Sequence, residues 1–264
     1  MPEAAEVKIM GDLLKRYLEG NKMKIEIVGG RNMKKNPKNY KELQEIMEKG
    51  GIEVGKVETK GKFLWIEMEE EWSCWITFGL KGRFYEEKKD NCGYTIESRI
   101  GKIYYCDTIG YGTLTISNNR KELEKKLKTL GSNILGQTKI SDSEIIKTFR
   151  KYDSKNVTVV MMNPKVFAGI GNYMKCESLY ISKVSPHSLV KELKDEQLVS
   201  LYNNCRQLSQ QIYNNLTNNP SFCKTSLFHV YNRSFDKLSN PILTIKTPDD
   251  RKTHWCPSVQ DNTD

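Results

Sequence analysis

No stretch of this 264-residue chain approaches the roughly 20 consecutive apolar residues that a membrane-spanning helix requires. Its first residues, MPEAAEV, are too charged for the apolar segment of a secretory signal peptide. These two absences predict an intracellular protein with no membrane partner. The seven cysteines, Cys74, Cys92, Cys106, Cys176, Cys205, Cys223 and Cys256, contain no C-x-x-C pair and no framework spacing. Reduced, mostly packing thiols are therefore expected. No internal repeat or low-complexity tract interrupts the chain.

What is present is cationic. Forty-two Lys and Arg against thirty-three Asp and Glu give a net charge of +9, which fits a polyanionic partner such as nucleic acid. An acidic membrane surface fits less well, because the Lys-rich helices have no bulky apolar face free of core duties. The length allows two domains or one large one with a sizeable core. Abundant Lys, Asn and Ile suggest an AT-rich genome, viral or cellular.

Val7, Met10, Leu14, Tyr17 and Leu18 recur at helical spacing and predict an amphipathic first helix. From about residue 22 to 117 the pattern changes to short β-rich runs, KIEIVGG, GKFLWIEM, WSCWITFG, GRFYEE, TIESRI, KIYYCD and TLTISN. Turn residues separate most of them, as in a β-sandwich or partly closed barrel. One helical segment, KNPKNYKELQEIMEKGG, interrupts the early strands. After Asn118 the segments NRKELEKKLKTLG and SDSEIIKTFRKY read as helices, followed by two more around 173–181 and 194–216. ILTIK, a TPDD turn and RKTHW then read as a small terminal hairpin.

Three places could carry chemistry. If Met1 is removed, Pro2 exposes a secondary amine beside Glu3. An α-amino group titrates near about 7.7 to 8.0 against about 10.4 for lysine, so far more of it is neutral and nucleophilic at pH 7. The plainer reading is that Pro2 and Glu3 simply start the first helix. NPKVFAGIGNYMKCESLY places two glycines and Asn172 before a helix, a phosphate cradle in a region rich in Lys and Arg. The third glycine of a dinucleotide fingerprint is missing. A helix–helix turn with a solvated basic face would look the same. Lys62, just after Gly61, stands at the start of an apolar strand, where it could equally be a strand-edge lysine.

Together MPEAAEV, KGKFL and NPKVFAGIGNYMKCESLY, in that order, resemble the Fpg/Nei DNA glycosylases. The resemblance implies an α+β fold: an N-terminal helix on a two-sheet β-sandwich, a helix-two-turn-helix domain and a terminal finger hairpin. On that plan residues 1–120 form the catalytic domain, 121–220 the helix-two-turn-helix domain and 221–264 the finger and tail. It implies Pro2 as nucleophile, Glu3 as general acid and proton shuttle, and Lys62 as a phosphate-binding lysine that assists strand cleavage. Glu6 and Glu177 match supporting carboxylates. Lys165, Asn172 and Arg251 match positions that hold the DNA backbone, Arg251 through the resemblance of DDRKTHW to the R-x-T-x-[YFW] finger pattern.

The chain also departs from the family. A zinc finger needs four cysteines in two close pairs, yet after residue 220 only Cys223, Cys256, His229 and His254 occur. Their C-x5-H and H-x-C spacings do not make an ordinary tetrahedral site. A zincless finger held by hairpin packing is expected, as in the endonuclease VIII-like (Nei-like) branch. Leu80 in TFGLKGRF replaces the usual intercalating methionine, and Thr77 a phosphate-contacting histidine. YCDTIGYGTL has lost the two arginines of the family loop, leaving Tyr111 at the phenylalanine position. Leu80 and Tyr111 remain candidates to fill the void of an extruded base.

The resemblance thus implies a monomeric, bifunctional glycosylase and abasic-site lyase acting on damaged DNA, duplex or single-stranded, without metal, nucleotide or redox cofactor. Loss of the partner-base arginines points to oxidised pyrimidines and hydantoins, through a proline imine and β,δ-elimination. The alternatives are an Fpg-type 8-oxoguanine enzyme and a noncatalytic helix-two-turn-helix binding protein. An intracellular location is expected, the nucleus or, for a viral source, the host cell or virion.

Overall fold

Helix α1 (Ala4–Leu18) buries Val7, Met10, Leu14 and Leu18, the face its apolar spacing predicts. Gly11 lets it lie close on the sheet, since a Cβ at that position would meet Thr59 Cγ2 at 2.6 Å. The chain is described here by a computed structural model covering residues 1–29 and 37–261. Gly30 of the first β-rich run, and Lys35 and Asn36 of the first interrupting helix segment, lie outside the described residues. So does the tail beyond Asp261.

Eight strands follow α1: β1 (Lys22–Ile27), β2 (Ile52–Lys60), β3 (Phe63–Met68), β4 (Ser73–Thr77), β5 (Arg83–Tyr85), β6 (Cys92–Ser98), β7 (Gly101–Cys106) and β8 (Thr113–Ser117). They are ordered β5-β7-β6-β1-β2-β3-β4-β8. Every pairing is antiparallel. The β1–β2 junction rests on two residue pairs, Lys22↔Glu53 and Met23↔Ile52, so the sheet works as two four-stranded blocks. Their inward residues, Ile25, Tyr94, Ile96 and Tyr105 from one block and Val57, Ile66, Cys74 and Ile116 from the other, share one hydrophobic core with α1. Helix α2 (Tyr40–Glu48) adds Tyr40, Leu43 and Met47 to that core. Helix α3 (Arg120–Lys128) starts where the Asn119 side chain accepts Lys121 N–H at 3.0 Å, a side-chain cap of the usual kind.

Strand β2 is the element that the sequence pattern hides. Glu53, Lys56, Glu58 and Lys60 crowd it with charge. A register shift between Val54 and Lys56 breaks the alternation, as a bulge does. Ile52, Val54 and Val57 are nonetheless buried, and β3 pairs along its length.

By contacts the chain divides into Met1–Thr129 and Leu130–Asp264, which places α3 with the sheet. The sequence pattern alone suggests divisions near 120 and 220. In the second unit α4 (Asp142–Arg150), α5 (Val157–Met162), α6 (Asn172–Ile181) and the 24-residue α7 (Asp195–Asn218) form a helical core. α4 begins at Ser141, whose hydroxyl accepts Glu144 N–H at 3.3 Å. Phe149, Phe167 and Tyr202 pack ring to ring inside it. Two short parallel strands, β9 (Ser132–Asn133) and β10 (Phe167–Ala168), lead toward α6. The hairpin β11 (Leu243–Lys246) and β12 (Lys252–Trp255) and the short helix α8 (Pro257–Gln260) close the unit.

Candidate nucleic-acid site

The first unit gathers its candidate residues at one end, and strand register shows why. Gly20 N–H donates to Val54 O at 3.0 Å, Val57 N–H donates to Glu19 Oε1 at 2.8 Å, and Gly11 touches Thr59. Helix α1 therefore runs opposite to β2, and its start lies toward the β2–β3 turn. Pro2 is half-buried there, and Glu3 is 1% exposed. The Glu6 carboxylate accepts Glu3 N–H at 3.0 Å, which fixes the entry into the helix. Lys62 occupies the two-residue turn between Lys60 and Phe63, with Gly61 at φ +61°. Its side chain is half-buried.

The pairs Leu64↔Ile76 and Thr77↔Thr113 bring two more loops to this end. One is the turn after β4, carrying Leu80; the other is the β7–β8 loop, carrying Tyr111. Leu80 is 37% and Tyr111 66% exposed. The loops touch, since a Cβ on Gly79, at φ +53°, would come within 2.5 Å of the Tyr111 carbonyl carbon. Between them stands the Tyr105 hydroxyl, which donates to Thr77 O at 3.2 Å. Gly82 and Gly112 leave room for it, as Cβ atoms there would fall 2.2 and 1.7 Å from that oxygen. Thr77 faces across to Thr113 on the exposed side of the strands, hydroxyl to hydroxyl at 2.7 Å.

Asp107, which sequence reading did not single out, holds the Tyr111 loop. It is fully buried; Oδ1 accepts Ile109 N–H at 3.0 Å and Oδ2 accepts Gly112 N–H at 2.8 Å. An Asp ahead of a short Gly-containing run is an Asx-turn signature and is the signal that could have found it. Asp107→Ala leaves those amides without their acceptor, so a loss of about 1–3 kcal/mol in urea unfolding is expected.

The second unit joins its candidates through α6. Asn172, at the first turn of α6, donates from Nδ2 to Lys252 O in the finger hairpin at 2.8 Å. Its Oδ1 is buried without a hydrogen-bond partner. Glu177, one face further along, is 1% exposed. Its Oε2 accepts His229 N–H at 2.6 Å and lies 3.1 Å from His229 Nδ1; Oε1 accepts Val230 N–H at 2.9 Å and Tyr231 N–H at 2.8 Å. Glu177 thus anchors segment 229–231. Lys165 is exposed in the turn before β10, where its N–H donates to Asn163 Oδ1 at 3.0 Å.

Arg251 is exposed where the β11–β12 turn enters β12. The turn is closed by Thr247 N–H to Arg251 O at 3.0 Å and bends at Asp250, φ +62°. Lys175, which sequence reading passed over, docks it: Lys175 is 0% exposed, and its Nζ pairs with Asp249 Oδ2 at 2.7 Å. Asp249 also accepts the Thr247 hydroxyl, which in turn lies 2.6 Å from the Thr253 hydroxyl. One buried lysine on α6 thereby sets the turn that presents Arg251.

The residues expected in place of a zinc site do not fit one. The His229 ring faces Glu177 and stacks on Tyr180. Cys256 packs with Cys176 and Val230, its thiol donating to Asp236 Oδ2 at 3.8 Å, while Cys223 is exposed. Among the described residues no three His, Cys, Asp or Glu are placed to hold a metal ion. Nor is any described helix long and apolar enough to cross a membrane.

The chain can be compared with known proteins on this geometry. Residues 1–108 match the formamidopyrimidine-DNA glycosylase N-terminal domain. Over its length the chain is 29% identical to formamidopyrimidine-DNA glycosylase of Rickettsia felis, covering 98% of each protein. It is 25% identical to that of Ureaplasma parvum, covering 98% of this chain and all of the relative. Lactococcus lactis formamidopyrimidine-DNA glycosylase, solved non-covalently bound to DNA containing an AP site, superposes with a TM-score of 0.82 at 20% identity, covering 99% of this chain and 100% of that one. The same enzyme solved with DNA containing an oxidised pyrimidine gives 0.83 at 19% identity, with 99% and 100% covered. Domain match, end-to-end relatives and shared fold point one way: residues 1–108 match the N-terminal domain of formamidopyrimidine-DNA glycosylase, and the chain is similar to such proteins along nearly its whole length and shares their fold.

Proposed function

We propose that this protein is a DNA glycosylase and abasic-site lyase of base excision repair, with the Pro2 nitrogen, freed by removal of Met1, as its nucleophile. The observation that carries the reading is the shared end of the first unit. There the Pro2–Glu3 start of α1, the Lys62 turn and the Leu80 and Tyr111 loops all lie at one end of the sheet. The target nucleotide must leave the stack, at a cost of a few kcal/mol that damaged pairs lessen. Leu80 and Tyr111 would fill the space it vacates. Pro2 then attacks the sugar C1′, the C1′–base bond breaks, and Glu3 supplies the proton that the departing base needs. Ring opening gives an iminium that acidifies the neighbouring sugar C–H, and β and δ eliminations release the two phosphates. Lys62, Lys165, Asn172 and Arg251 hold the backbone, and Glu6 and Glu177 support the elements that carry them.

The lesion class we propose is oxidised pyrimidines and hydantoins, because the Tyr111 loop carries no arginine to read the orphaned partner base. The Nei-like branch is the nearest type for that chemistry and for a finger without metal. The Fpg-type preference for 8-oxoguanine opposite cytosine is the second reading, favoured by the name that the relatives share. Borohydride trapping on matched duplexes carrying 5-hydroxyuracil or 8-oxoguanine tests both. Faster trapping on 5-hydroxyuracil supports the first; strong activity confined to 8-oxoguanine opposite cytosine supports the second. Salt-dependent binding with no cross-link on these or on abasic DNA sinks the enzyme reading.

Arg251 carries its own expected result. Arg251→Ala should weaken DNA binding across sequences and reduce the slope of log affinity against log salt by about one. Titrations at several salt concentrations check it.

A further inference from the structure

Cys92 opens β6, Cys106 closes β7, and the two are direct register partners. Asp107 N–H donates to Asn91 O at 3.3 Å on the adjacent position, which makes Cys92–Cys106 a non-hydrogen-bonded pair. In such pairs the Cα atoms sit about 4.5 Å apart and the side chains approach most closely. A disulfide spans Cα separations of about 4.4 to 6.8 Å. Both thiols are free and 7% and 5% exposed, with Cys92 Sγ donating to Tyr94 O at 3.4 Å and Cys106 Sγ to Tyr104 O at 4.0 Å. The ladder shifts register directly after the pair, so the backbone there is not held by continuous strand bonds. No other two cysteines face each other in register among the described strands.

We propose that Cys92 and Cys106 form a reversible dithiol–disulfide site, oxidised by hydroperoxides, that locks the root of the Tyr111 loop. One thiolate attacks the peroxide, the O–O bond breaks, one water leaves, and that sulfur becomes a sulfenic acid. The second sulfur displaces the hydroxyl as another water and forms the S–S bond. Two thiols and one hydrogen peroxide thus become one disulfide and two waters, with two electrons passing from sulfur to oxygen. The new bond ties β6 to the residue immediately before Asp107, which holds Ile109 and Gly112. It also closes the β6–β7 hairpin covalently, which restricts the unfolded chain.

Burial pushes both thiols up, Cys92 to about 11. The pair therefore stays reduced until oxidant is sustained, because the thiolate is the reacting species. Exposed Cys223, whose thiol is lowered by its hydrogen bond with Thr225, provides an internal reference that reacts first. The inference stands apart from the catalytic reading, since it can be tested without DNA.

The experiment treats the full chain with hydrogen peroxide under native conditions, alkylates the remaining thiols and maps peptides without reduction. The expected product joins the Cys92 and Cys106 peptides, two hydrogens lighter than the separate thiols, and dithiothreitol reverses it. Amide exchange across residues 107–112 slows in the oxidised form. Cys223→Ser retains the cross-link and Cys92→Ser loses it; should Cys92→Ser fail to fold, the native peptide map decides alone. Complete oxidation of Cys223 with Cys92 and Cys106 still alkylatable overturns the site, as does a bond from either to another cysteine. A cross-link with unchanged exchange across 107–112 overturns the locking of the loop.

Discussion

A protein whose Pro2 nitrogen remains acylated, by Met1 or by an uncleaved tag, is expected to lose all borohydride-trappable cross-linking to abasic DNA while still binding it. An amide nitrogen has its lone pair tied into the peptide and cannot form an iminium. The phosphate contacts proposed for Lys165, Asn172 and Arg251 do not involve that nitrogen, so binding and its salt dependence should persist. A cross-link of undiminished yield from the acylated protein would assign the imine to a lysine instead, with Lys62 the first to examine. Glu3→Gln separates the two half-reactions. It should slow base release by about 10²–10⁴-fold, the usual worth of a positioned general acid. It should affect a pre-formed abasic site less, because no base remains to be protonated. Buried at the helix start, Glu3 is also a packing residue, so unfolding of the variant is measured alongside.

The second large effect falls on stability. Lys175→Met should cost about 3–5 kcal/mol, because it leaves the Asp249 carboxylate buried without its countercharge. Lys175 is 0% exposed and the Asp249 side chain 3%, so water cannot take over. The double variant Lys175→Met/Asp249→Leu should recover much of the loss, since an apolar pair of similar volume often matches a buried ion pair. Urea midpoints of the single and double variants make the comparison. A single variant within about 0.5 kcal/mol of the parent, the range of an ordinary surface change, would mean that the hairpin turn is held elsewhere. Because Arg251 follows that turn, the single variant should also lose part of the salt-dependent DNA binding that Arg251→Ala loses.

The elements with local signals were legible. The apolar stripe of α1, the β-rich runs of β3, β4, β7 and β8, the capped starts of α3 and α4 and the turn between β11 and β12 all occupy the segments where sequence pattern expects them. Strand β2 was not, because its charges and the register shift at Gly55 suppress the period-two signal. Lys175, Glu177 and Asp107 divide in the same way. Glu177 stood out through a motif, but its four contacts with segment 229–231 had no local trace. Lys175 and Asp249 lie far apart in the chain, and each alone looks like a surface charge. Asp107 had a turn signature, yet its burial depends on β7 and β8 being brought together.

The sequence by itself determined the helix-then-strand-then-helix order, the Pro2–Glu3 start, the G-I-G-N turn into α6, the cationic excess and a finger without two close cysteine pairs. Those are properties of composition and short spacing, and they survive any arrangement of the chain. Tertiary structure alone decided that the start of α1, the Lys62 turn and the Leu80 and Tyr111 loops share one end of the sheet. It also decided that Lys175 is buried against Asp249 and that Cys92 faces Cys106. Register and burial belong to pairs of distant segments, and their free energy appears only when both partners leave water together.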